Sequence, residues 1–139
     1  MSLTVGVPTE TYPGERRVAL VPRAIDVLAK SGCAFVVESG AGIASGVLDK
    51  DYEAKGAKIV SRKEVFEQSD VILQVRTLGA NPVAGKADLE RLSSKHTIIG
   101  LSEPLTARAE AQALADRAVT AFALELVPRI TRAQAMDVL

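Results

Sequence analysis

The sequence predicts an α/β fold: a doubly wound, mainly parallel sheet of the Rossmann-like or flavodoxin-like kind. Short apolar runs rich in β-branched residues alternate with helical patterns from one end of the chain to the other. Strand, helix, strand and helix in such regular succession call for a parallel sheet with helices on both faces. Right-handed crossovers then make it doubly wound.

Taken in order, residues 3–7 read as a strand that ends at Pro8. Pro22 suits the first turn of a helix, where its missing amide hydrogen has no partner to lose. Ala24, Ile25, Val27 and Leu28 give that helix an apolar face, and Gly32 stops it. Residues 34–37 form the next strand, followed by a Gly-rich loop over 39–46. A short helix over 49–55 ends at Gly56, and 58–60 is a brief strand. Ser61 and Glu64 then stand in capping-box spacing, each able to satisfy an amide donor of the first helical turn. Residues 71–75 are a buried strand, and a loop with Gly79, Pro82 and Gly85 leads to a short polar helix over 87–92. A strand over 97–101, an Ala-rich helix over 106–117 and a last strand over 119–124 complete the pattern. No repeat, low-complexity tract or internal linker appears. Residues 1–127 are therefore expected to form one α/β domain, and 128–139 to start a connection to an absent element.

The composition narrows the function. A chain of 139 residues with 47% hydrophobic content can bury a real core. Its 17 basic and 17 acidic residues are dispersed, so no basic face for nucleic acid is expected. Three Phe, two Tyr and no Trp leave little for base stacking. The lone Cys33 has no partner for a disulfide and reads as a small core hydrophobe. His96, before the strand at 97–101 and far from any second ligand type, reads as a surface residue, so no metal site is expected. The first residues lack the pattern of a signal peptide, and no apolar run is long enough to span a bilayer. A cytoplasmic chain is expected.

Candidate chemistry lies in three places. Gly40, Gly42 and Gly46 follow the second strand, but the third glycine is one position late for a dinucleotide fingerprint and no clear helix starts there. A plain turn is the better reading. Glu15, Arg16 and Arg17 follow the first strand, and Arg76 follows the strand at 71–75, all on the carboxyl rim where open α/β sheets bind ligands. Arg17 and Arg76 are candidate anion contacts, set against solvated charges paired locally. Ser102, beyond the strand at 97–101, has no adjacent base to make it a nucleophile. The third place is the stretch Pro128–Leu139. Arg129, Gln134 and Asp137 offer a cation, a two-way amide and an acceptor, suited to a ribose–nicotinamide surface. Thr131 and Gln134 are equally well placed as a helix cap.

The segment Pro128-Arg-Ile-Thr-Arg-Ala-Gln-Ala-Met-Asp137 resembles the Pro-Arg-Ile-(Ser/Thr)-Arg-Ala-Gln-x-x-Asp signature of the proton-translocating NAD(P) transhydrogenase alpha subunit. The opening, Gly6-Val-Pro-Thr-Glu10 and Glu15-Arg-Arg-Val-Ala19 with Pro22, resembles a pattern that family shares with alanine dehydrogenases, as does Glu38-Ser-Gly-Ala-Gly42. The resemblance implies an NAD(H)-binding component built of two Rossmann-like domains. Such a component passes hydride to and from NADP(H) held on a partner component, with a further membrane-spanning partner that moves protons. It implies a cytoplasmic homodimer, peripheral to the inner membrane through partner subunits. Arg129, Gln134 and Asp137 would reach the nicotinamide end of NAD(H), while the main nucleotide cradle would lie outside this chain. Two positions separate the chain from alanine dehydrogenases, which carry Lys where Arg76 stands and His where Ser102 stands. Without the His, the acid/base group for imine chemistry is missing. Arg17 matches the arginine that grips the substrate carboxylate in those enzymes. The alternatives are a stand-alone, non-catalytic interaction module and an alanine dehydrogenase fragment.

Overall fold

The computed structural model describes residues 2–138; Met1 and Leu139, the outer ends of the two expected segments, lie outside the described residues. Six strands form one all-parallel sheet: β1 (Thr4–Val7), β2 (Ala34–Glu38), β3 (Lys58–Val60), β4 (Val71–Arg76), β5 (Thr97–Leu101) and β6 (Thr120–Ala123). Their order across the sheet is β3-β2-β1-β4-β5-β6, the Rossmann order, in which the sequence of strands reverses between β1 and β4. That resolves the two topologies the sequence leaves open.

The helices follow the local signals. Helix α1 (Pro22–Leu28) begins at its proline, and the short turn after it ends on Gly32 in the left-handed region, φ 80°. Helix α2 (Asp49–Glu53) is capped when Asp51 accepts from the Leu48 amide, 2.9 Å. Helix α3 (Arg62–Gln68) carries the expected capping box: Ser61 Oγ accepts from the Glu64 amide, and the Glu64 carboxylate accepts from the Ser61 amide. Helix α4 (Lys86–Leu89) is shorter than its polar pattern suggests, and α5 (Arg108–Asp116) follows β5.

Two apolar layers sandwich the sheet. On one face Val5, Val7, Phe35 and Val37 pack with Ile25 and Tyr52, whose hydroxyl donates to the Leu20 carbonyl, 2.7 Å. On the other, Ile72 and Ile98 pack with Phe66, Leu78, Leu92 and Leu114. Alternate residues of a strand point to opposite faces, so β1 sends Val5 and Val7 one way and Gly6 the other. A Cβ on Gly6 would overlap the buried Ser69 side chain, so glycine there lets α3 close onto β1. Cys33 is partly buried against the first layer, in keeping with a small hydrophobe.

Two expectations need correction. His96 is 1% exposed rather than a surface residue. Its Nδ1 accepts from the Ser93 amide at 2.9 Å and its Nε2 lies 2.9 Å from the Phe66 carbonyl. The ring thus plugs the amino end of the sheet by satisfying backbone groups that no regular element reaches. Thr131 does not cap a helix: residues Thr131–Met136 form a 3-10 segment whose cap position is Ile130, with no side-chain cap bond.

Candidate functional site

The strand reversal between β1 and β4 opens a crevice at the carboxyl end of the sheet, the place where ligands settle in open α/β folds. Strands β1 and β4 pair only through Val5–Val71 and Gly6–Ile72, then diverge. Beyond that point Glu10 fills the gap. Its carboxylate accepts from the Val75 and Arg76 amides at 2.6 and 3.1 Å, beside an irregularity in the β4–β5 register between Leu73 and Arg76. Burial pushes the Glu10 carboxyl above its ordinary value, and the two amides pull it back in part.

Arg17 and Arg76 meet at Glu15. Arg17 donates Nε and Nη2 to the two carboxylate oxygens, both at 2.7 Å, and Arg76 donates Nε to Oε2 at 3.1 Å. The Glu15 side chain is 6% exposed, and the Arg76 guanidinium stacks on the Tyr12 ring, 4.3 Å from its centroid. The anion these two arginines grip in this structure is therefore internal. Their hydrogen bonds hold the Glu15 carboxyl well below its ordinary value, at about 2, with Arg17 contributing most. A carboxyl lowered on folding stabilises the fold above its unfolded value near pH ~4 and loses that contribution as pH falls toward about 2. Glu15→Gln is accordingly expected to flatten the acid limb of the stability profile between about pH 4.5 and 2, read by thermal unfolding across that range.

A second network sits where β1 and β2 leave the sheet. Arg62 spans Asp88 with Nε and Nη2, at 2.9 and 2.5 Å, and gives Nη1 to Glu38 and to the Thr9 carbonyl, at 2.8 and 2.9 Å. In the sequence Glu10 and Glu38 stand out only as members of the motifs Gly6–Glu10 and Glu38–Gly42, and nothing there joins Glu38 to Arg62 or Asp88.

The Gly-rich loop is a turn. Gly40 and Gly46 adopt positive φ, 82° and 78°. Asp49 takes the Gly40 amide and the Ser39 hydroxyl, both at 2.8 Å, so the chain's own carboxylate holds the amide that a phosphate would need. At the exit of β5, Ser102 is buried and shares a 2.7 Å hydrogen bond with Thr77 Oγ1.

The C-terminal residues gather as the sequence suggests. After β6, a 3-10 turn over Leu124–Leu126 leads to Pro128, and buried Ala133 anchors the next segment. Arg129, Ile130, Thr131, Gln134 and Asp137 line a cavity of about 450 Å³. Arg129 Nε donates to Asp137 Oδ2 at 3.0 Å, with side-chain exposures of 67% and 27%. Val138 and Leu124 border a separate cavity of about 420 Å³ with Arg17 and with Leu73 and Ile99 of the sheet, which brings the residue after Asp137 beside Arg17. Among the described residues no group of acidic, His and Cys side chains is arranged to hold a metal ion. No helix among them is long and apolar enough to cross a membrane.

Comparison with known proteins identifies the family. The chain is 34% identical over 138 residues to the NAD(P) transhydrogenase subunit alpha of Cereibacter sphaeroides, covering 99% of this chain and 25% of that protein. It is 35% identical over 139 residues to the first part of NAD(P) transhydrogenase subunit alpha of Rhodospirillum rubrum, covering 99% and 36%. The chain thus spans a quarter and just over a third of these two relatives. The crystal structure of transhydrogenase from Sinorhizobium meliloti superposes with a TM-score of 0.89 at 35% identity, covering 98% of this chain and 39% of that one. Residues 6–139 match the family model described as the alanine dehydrogenase/PNT, N-terminal domain, and the chain belongs to that family.

Proposed function

We propose that this chain is the N-terminal portion of the NAD(H)-binding component of a proton-translocating NAD(P) transhydrogenase. In this reading the assembled protein passes hydride between NAD(H) and NADP(H), the latter held on a partner component, with a further membrane-spanning partner. The component works as a homodimer on the cytoplasmic side, peripheral to the inner membrane through those partners. Residues 1–127 form the α/β domain and 128–139 begin the connection to the domain with the main nucleotide cradle.

The observation that carries the reading is the cavity lined by Arg129, Gln134 and Asp137 in the segment after β6. Arg129 and Gln134 can donate to the nicotinamide carboxamide and ribose oxygens, while Gln134 and Asp137 can accept from the carboxamide nitrogen and ribose hydroxyls. The filled crevice agrees with a shared site. With Glu10 and Glu15 occupying the strand reversal, and Asp49 closing the Gly-rich loop, these two places offer carboxylates where a pyrophosphate needs donors. The chain's role is then to position one end of the cofactor rather than to cradle its phosphates.

Amination of an oxoacid is the lesser reading. The hydroxyl of Ser102 is engaged with Thr77, and no imidazole stands at that position to move a proton. In the assembled enzyme, Arg129→Ala and Gln134→Ala are each expected to slow hydride transfer about tenfold or more, the scale of one lost positioning contact to the reacting ring. Single-turnover transfer at saturating nucleotide checks this. Unchanged rates in both variants would sink the site assignment.

A further inference from the structure

Resting on the proposed site of hydride transfer, we infer that Glu125 is a positioning residue for it: Glu125 locks the start of the connection after β6 onto the exit of β5. The amides of Ser102 and Glu103 follow one another where β5 ends, and Glu103 has a left-handed backbone, φ 48°. Successive backbone amides that converge on one point form a nest for an anion. The anion here is Glu125. Its Oε1 accepts from the Ser102 amide at 2.8 Å and from the Glu103 amide as well. Its Oε2 is buried and, among the described residues, has no hydrogen-bond partner. An unsatisfied carboxylate oxygen in the interior is costly, so the two amides hold Glu125 in place against that penalty.

Both sides of the contact are stiff. The Ser102 hydroxyl shares a 2.7 Å hydrogen bond with Thr77 Oγ1, and Thr77, itself buried, gives its amide to the Leu101 carbonyl at 2.9 Å. On the other side, Glu125 is the middle residue of the 3-10 turn Leu124–Leu126, closed where the Val127 amide donates to the Leu124 carbonyl. Pro128 follows with its fixed φ, and the Ile130 amide donates back to the Pro128 carbonyl at 2.9 Å. A displacement of Glu125 is therefore carried to Arg129, the residue after Pro128, with little slack. Strand β6, whose side chains are largely exposed, is a weaker anchor than this clamp.

The test is single-turnover hydride transfer in the full-length, assembled protein with Glu125→Ala, Glu125→Asp and Glu125→Gln, run beside Arg129→Ala. NADH affinity is followed in each by fluorescence titration. Glu125→Asp keeps the charge but falls one methylene short of the nest, whereas Glu125→Gln keeps the length and an acceptor oxygen. At saturating nucleotide the alanine and aspartate variants should transfer hydride about tenfold more slowly per bound NADH, the least that a misplacement of about 1 Å is expected to cost. Their NADH dissociation constants should change by less than about threefold, because the main cradle lies elsewhere. Glu125→Gln should stay within about threefold of the wild-type rate, since it still reaches both amides. A merely structural Glu125 would lower the melting temperature and leave the rate per bound NADH untouched. That result, with Arg129→Ala slow, overturns the inference and leaves the site of hydride transfer standing. A glutamine variant as slow as alanine overturns it too, because charge rather than placement would then be at work. Should Glu125→Ala not fold, the aspartate and glutamine variants decide between the same outcomes. Wild-type rates in Arg129→Ala and in every Glu125 variant overturn the inference together with the site on which it rests.

Discussion

Arg62→Ala is expected to destabilise the fold by about 3 kcal/mol, the scale for leaving a buried or half-buried carboxylate without its cation. Arg62 opens α3 and reaches back across the carboxyl end of the sheet, where its guanidinium joins Asp88, Glu38 and the Thr9 carbonyl. The Asp88 and Glu38 side chains are 7% and 18% exposed, so neither can turn to water when the arginine is removed. The face of the guanidinium also lies over the Phe66 ring, 5.8 Å from its centroid, so packing is lost with the charge. Urea unfolding at neutral pH measures the loss. Arg62→Lys is the informative companion: it keeps the charge but loses the fork that spans Asp88, so its cost falls between wild type and alanine. An alanine variant as stable as wild type would mean the carboxylates relax into solvent and the network ties nothing together.

Gly79→Ala should cost about 2–3 kcal/mol, from overpacking against backbone rather than from lost contacts. Gly79 lies in the 3-10 turn Leu78–Ala80 that follows β4 and packs on the exit of β5. A Cβ there would overlap the Ser102 carbonyl oxygen and stand 3.2 Å from the Ala107 Cβ. The Ser102 segment cannot yield easily. Its hydroxyl is held by Thr77 at 2.7 Å and its amide by Glu125 at 2.8 Å, and Glu125 also takes the Glu103 amide. Gly14→Ala is the contrasting case, with nothing within 4 Å of the added carbon and only a left-handed backbone, φ 80°, to disfavour it. Its cost should be about 1 kcal/mol. Comparable losses at both positions, by the same unfolding measurement, would refute the overpacking argument for Gly79.

The sequence made the parallel α/β plan legible because its signals are local. The proline at the head of α1, the glycine in the left-handed region after it and the Ser61–Glu64 box each act within a few residues. Strand order is not local, and nothing short of the three-dimensional pairing separates the Rossmann order from its flavodoxin-like counterpart. His96 was illegible for a related reason: a histidine is buried when remote backbone groups need it, here Phe66, thirty positions away. Arg62, Glu38 and Asp88 look like ordinary surface charges until the fold brings them together. Of the candidate site, the grouping of Arg129, Gln134 and Asp137 could be read because they are close in sequence; the structure adds that they line one cavity. That Arg17 and Arg76 would converge on one carboxylate could not, since 61 positions separate Glu15 from Arg76.

Strand β6 flanks the sheet and, among the described residues, has β5 as its one neighbour; its side chains are largely exposed, with Phe122 at 57%. In hydrogen-exchange terms that makes it a weakly protected strand: its amides have little buried apolar surface to lose when they open. The described residues after it, Arg129 and Asp137 included, are held to the fold through that strand, through Glu125 on the Ser102 and Glu103 amides, and through buried Ala133. The placement of residues 128–138 thus depends in part on β6, and whatever slows exchange in β6 will also steady Arg129 and Asp137.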